Sequence, residues 1–154
     1  MAPDSIQRAL DKIASCDDAK QLKQIAKNAK SQGELDVGRA AELKLYAILP
    51  SAQPGTLQHD VWQSVYALEG ALAAERGKTT LLARTRQKIA RDGEQGTVAS
   101  LVVGKVSDGF RMLLDRNMTD LTFEAVALRH PADFSEDVLK TAKSRLLDVG
   151  YAPK

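Results

Sequence analysis

The chain has 154 residues, of which 44% are hydrophobic and 27% charged, and its formal net charge is +2. That length supports one ordinary core or two small ones, and that balance excludes a disordered chain. No apolar run nears the roughly 20 residues that span a bilayer. The start, Met1-Ala-Pro-Asp-Ser5, has neither the basic nor the apolar region of a secretory signal, and the single Cys16 has no internal disulfide partner. Together these predict a soluble protein of the reducing cytoplasm.

Nearly every segment has helical periodicity. Asp4 or Ser5 caps a first helix in which Ile6, Leu10 and Ile13 follow the i, i+4, i+7 pattern. Asp17 and Asp18 open a second helix, with Leu22, Ile25, Ala26 and Ala29 as its apolar side, ending near Gly33. A third runs from about Glu34 to Leu49 and buries Val37, Ala41, Leu45 and Ile48; Gly38 inside it weakens it by about 1 kcal/mol relative to alanine. Residues 50–56, with two prolines and a glycine, break the pattern and divide an N-terminal unit (1–49) from a C-terminal one (57–154).

The C-terminal unit resumes with a strongly apolar helix from about His59 to Arg76, striped by Val61, Val65, Leu68 and Leu72 and widened by Trp62, Tyr66 and Ala73. Thr79 or Thr80 caps the next helix, which reaches Arg91. Asp92-Gly93 breaks it before a short helix through Val98, Leu101 and Val102. Ser107 caps a helix over 108–116 that buries Phe110, Leu113 and Leu114. Another, near Leu121–Arg129, stops before Pro131 because the residue preceding proline avoids helical geometry. Ser135, with Glu136 and Asp137, starts the last helix, and Gly150 ends it. The expectation is an all-α, multi-helix bundle: a small unit of about three helices followed by a larger helical unit.

Charge is distributed unevenly. Residues 76–91 hold six basic and no acidic side chains, and the rest of the chain is net acidic. The stretch Glu75–Leu82, ERGKTTLL, resembles the end of a phosphate-binding loop only superficially. The first glycine of that motif would fall on Leu72, and a helix precedes Gly77 where the motif needs a strand. The residues read better as a corner between helices.

On the helical wheel Arg84, Gln87, Lys88 and Arg91 share a face, opposite Leu81, Leu82, Thr85 and Ile89, and Arg76 and Lys78 extend it at the preceding corner. Guanidinium forks bind phosphate bidentately, so Arg76, Lys78, Arg84, Lys88 and Arg91 are the expected nucleic-acid contacts. Arg86 falls beside the buried edge, where Glu69, on the side of Trp62 and Tyr66, is the candidate partner. Lys20, Lys23, Lys27 and Lys30, spaced to share one side of the second helix, are auxiliary phosphate contacts or an ordinary solvent face.

Two helix-turn-helix placements are conceivable. One is 80–91 followed by 95–103; the other is 121–129 followed by 136–147, with Lys140, Lys143 and Arg145. Neither fits well, because the first puts its charge on the wrong helix and the second begins its reading helix with acids. His59 and His130 have no neighbours at metal-ligand spacing, Cys16 sits in an inter-helix turn, and no cofactor motif is present. Sparse aromatics disfavour a single-strand stacking platform. The sequence therefore points to a non-catalytic protein that contacts duplex DNA. The competing readings are a module that binds an acidic protein surface or a second copy of itself, and an enzyme with dispersed residues.

Overall fold

The computed structural model describes residues 3–151, which form eight α-helices and two single-turn 3-10 segments, with no strand among them. The all-α expectation holds. The chain separates into two compact units between Ser51 and Ala52.

The N-terminal unit contains α1 (Pro3–Ala14), α2 (Ala19–Ser31) and α3 (Leu35–Ile48). Asp4 and Ser5 lie inside the first turn of α1 and do not cap it, since the helix already includes Pro3. Proline suits that turn because its φ is preset and its missing N–H has no intrahelical partner there. Asp18 caps α2 by accepting hydrogen bonds from the N–H groups of Lys20 (2.9 Å) and Gln21 (3.3 Å). Both α1 and α2 pack on α3, around buried Ile13, Leu22, Ala26, Ala29, Val37, Ala41 and Leu45, while Ile48 is only half-buried. Gly38 proves to be a contact point. A side chain there would stand 3.4 Å from Lys30 Cγ and 3.7 Å from the Ala26 carbonyl, so glycine permits the close approach of α2 and α3.

The C-terminal unit contains α4 (Leu57–Arg76), α5 (Ala83–Val103), α6 (Asp108–Asp115), α7 (Phe123–Arg129) and α8 (Glu136–Asp148), with 3-10 turns at Thr119–Leu121 and Pro131–Asp133. Helix α4 meets α5, α6 and α7, and α8 covers α5 and α7. Their shared core holds Leu57, Val61, Val65, Ile89, Val98, Val102, Val126, Ala127, Val138 and Ala142. A smaller cluster of Phe110, Ala125 and Leu146 is closed by Leu114, Leu128 and Tyr151. Hydroxyl caps set the starts of four helices, with Thr56, Ser107, Thr122 and Ser135 accepting from the N–H of His59, Phe110, Ala125 and Val138.

Helix α5 differs from expectation at both its start and its middle. It begins at Ala83, after Leu82, and neither Thr79 nor Thr80 caps it. At Gly93 the backbone turns to φ 78°, ψ 171°, a region essentially reserved for glycine, so α5 is two helical pieces joined at one kinked residue. A single non-helical residue is not the three- or four-residue turn of a helix-turn-helix, which removes the first placement of that motif.

Candidate nucleic-acid interface

The corner between α4 and α5 is built around Glu69. This buried carboxylate accepts three hydrogen bonds: from the Leu82 N–H at 2.8 Å, and from Arg86 Nε and Nη2 at 2.6 and 2.7 Å. The guanidinium also lies over the rings of Trp62 and Tyr66, 5.3 and 5.8 Å from their centroids. Each contact supports the other, since the carboxylate neutralises Arg86 and holds its already high pKa higher still. The pairing expected from the sequence is therefore present. Glu69 also explains the late start of α5: the first-turn N–H that a threonine was expected to satisfy is held by a carboxylate from α4.

Gly77 ends α4 with a left-handed φ of 70°, and residues 78–82 carry no helix. Over this corner lies a groove of about 340 Å³ lined by Leu72, Arg76 and residues 80–85, with no carboxylate in its wall. Arg76, Lys78 and Arg84 are exposed here, and none has an ion-pair partner among the described residues.

The other two expected contacts are compromised. Lys88 Nζ lies 3.3 Å from Asp92 Oδ2, and Arg91 forms a fork to the same carboxylate through Nε (3.1 Å) and Nη2 (3.2 Å). Arg91 holds Asp92 below the usual carboxylate range, and Asp92 in turn raises Arg91. The basic face thus splits into an unneutralised corner and a farther end where one aspartate serves two cations. Asp92 was read only as part of the break with Gly93, and its role as counter-ion was missed because the basic block was cut at Arg91, one residue short of it. The i,i+4 spacing from Lys88 was the available signal.

In the N-terminal unit Lys20, Lys23 and Lys27 are exposed without an ion pair among the described residues, while Lys30 is paired with Glu42. The second helix-turn-helix placement loses one of its cations. Arg145 turns inward to the buried Glu124 (3.1 Å) and to the carbonyls of Leu101 and Gly104 at the end of α5.

The histidines belong to an unforeseen cluster. His130 Nε2 is 2.7 Å from Asp60 Oδ2, Arg129 Nε donates to the same oxygen at 3.3 Å, and buried His59 has Nδ1 3.7 Å from Asp60 Oδ1. One carboxylate thus links the start of α4 to the end of α7. No group of three or more metal-ligating side chains occurs among the described residues. Cys16 is buried in the α1–α2 turn, its thiol directed at the Asp18 carbonyl and Gln21 Oε1. No described helix is long and apolar enough to cross a membrane. Searches against family models, curated proteins and solved structures find no match to this chain.

Proposed function

We propose that this chain is a nucleic-acid-binding protein that holds the phosphate backbone of duplex DNA through Arg76, Lys78 and Arg84. Lys88 and Arg91 form a weaker flank, and Lys20, Lys23 and Lys27 serve as auxiliary contacts. The observation that carries the reading is the carboxylate-free groove at the α4–α5 corner, bordered by cations that the fold leaves unneutralised. Exposed side chains of this kind displace counterions from a polyanion, giving affinity that is independent of sequence and falls steeply with salt. The two arginines supply forks matched to phosphate oxygens, and Lys78 supplies a point charge. The expected compartment is the cytoplasm.

The test is binding of a random duplex across a salt series. The plot of log affinity against log salt should be linear, and Arg76→Gln/Lys78→Gln/Arg84→Gln should flatten its slope by about 2.7, at about 0.9 per phosphate contact. A slope that does not change in the triple variant would refute the assignment. The competing reading, a module for an acidic protein surface or for self-association, is favoured by Leu81, which is 59% exposed beside the same cations. It predicts indifference to DNA together with a size-exclusion mass above one chain, for self-association, or an acidic partner in a pull-down.

A further inference from the structure

The loop that carries the basic corner presents a hydroxyl that the binding reading does not use. Residues 78–82 are non-helical, released from α4 by Gly77 and tied back to it at Leu82, whose N–H is held by Glu69. Within this span the two threonines differ. Thr80 is half-buried and donates its hydroxyl to the Lys78 carbonyl at 3.1 Å. Thr79 is exposed, and its hydroxyl makes no hydrogen bond among the described residues. Arg76 stands three residues before Thr79 and Lys78 one before. Leu81, two after, leaves 59% of its surface in solvent.

We propose that Thr79 is a phosphorylation site for an arginine-directed serine/threonine protein kinase, and that the phosphate switches off the corner. Such enzymes read a non-helical segment, matching an acidic groove to a basic side chain upstream of the hydroxyl and an apolar pocket to a side chain near it. Arg76, the last residue of α4, and Leu81, in the loop itself, supply both features once the final turn of α4 frays to present Arg76. In the transfer, Thr79 Oγ1 attacks the γ-phosphorus of a nucleoside triphosphate. The new O–P bond forms as the bond to the β-phosphate oxygen breaks, the hydroxyl proton passes to a carboxylate of the kinase, and the nucleoside diphosphate leaves. The product carries a charge of about −1.5 to −2 in the same loop as Lys78 and between Arg76 and Arg84 in sequence, offsetting about half to two-thirds of the positive charge of those three residues. The regulatory half of this inference rests on the proposed DNA contact; the phosphoryl transfer does not.

The experiment incubates the full chain with an arginine-directed kinase catalytic domain and MgATP, and locates the phosphate by peptide mass spectrometry. One phosphate is expected, on Thr79. It should be lost in Thr79→Ala, kept in Thr80→Ala, and incorporated about 10-fold more slowly in Arg76→Gln. Incorporation only after heat unfolding, only at another residue, or at an unchanged rate in Arg76→Gln would overturn the site. Phosphorylated chain should then bind random duplex at least about 10-fold more weakly at 100 mM salt, with a salt slope reduced by roughly 1.4 to 1.8. An unchanged affinity would overturn the switch. If the unmodified chain and Thr79→Ala both ignore DNA, the proposed function falls while the transfer to Thr79 is still read directly.

Discussion

A single carboxylate can shape a surface it does not reach. Glu69 is 7% exposed, and its three hydrogen bonds set both where α5 begins and where Arg86 is held, so Arg84 projects from a start that α4 determines. Removing one member of a buried ion pair costs about 3–5 kcal/mol, because the partner is left charged and unpaired. Here the Arg86 side chain is 31% exposed and can recover some hydration, so Glu69→Ala should cost about 2–3 kcal/mol. Glu69→Gln, which keeps only one of the two acceptor oxygens, should cost somewhat less, about 1.5–2 kcal/mol. Urea unfolding monitored by helix content checks both, and equal losses in the two variants would mean that the site depends on charge alone. Gly109 offers a second test of the same unit. A methyl group there would come within 2.9 Å of Leu68 Cδ2, and Leu68 is buried. Overpacking typically costs about 1–3 kcal/mol, and alanine gains at most about 1 kcal/mol in helix propensity at this second position of α6. Gly109→Ala should therefore lower the thermal midpoint, and a raised midpoint would show that Leu68 has room to rotate.

The helices themselves were legible where the signal was local. Asp18, Ser107 and Ser135 each stand one residue before a helix and bond its first turn, so composition alone located them. Sequence reading failed at the start of α5, where the N–H of the cap residue Leu82 is held by Glu69, thirteen residues earlier, an arrangement no capping pattern encodes. It failed likewise at Asp60, whose partners Arg129 and His130 lie about seventy residues away. Gly93 was legible as a break but not in its form. Its φ of 78° and ψ of 171° bend α5 at one residue, and Gly93→Ala should cost about 1–3 kcal/mol, read as a lower urea midpoint. Glu124 joins α7 to α8 and, through Arg145, to the end of α5. Burial pushes its carboxyl up despite Arg145, which divides its guanidinium between the carboxylate and the carbonyls of Leu101 and Gly104. A carboxyl whose folded pKa lies above its unfolded value binds its proton more tightly in the native state, so its contribution to stability falls as pH rises through that interval. The stability of the native chain minus that of Glu124→Gln should decline with pH just above the ordinary carboxylate range and then level off. A rising difference would mean that the guanidinium outweighs desolvation.

Over the whole molecule, net charge misleads because opposite charges are distributed at different scales. A formal charge of +2 conceals a basic block of six, within which Glu69 neutralises Arg86 and Asp92 serves both Lys88 and Arg91. Of the cations expected to meet a polyanion, those left are the corner of the C-terminal unit and, separately, the lysine line of α2, where Lys30 is already paired with Glu42. Salt dependence counts contacts one by one, so it can weigh these two surfaces without knowledge of the bound geometry. Lys20→Gln/Lys23→Gln/Lys27→Gln should flatten the slope for random duplex by up to about 2.7 if all three lysines meet phosphate, and by nothing if they are only a solvent face. Asp92→Asn provides the complementary measurement. Freed from their shared carboxylate, Lys88 and Arg91 should steepen the slope by about 1 to 2 and tighten binding at low salt. An unchanged slope in Asp92→Asn, alongside a flattened one in the corner variant, would confine the interface to Arg76, Lys78 and Arg84.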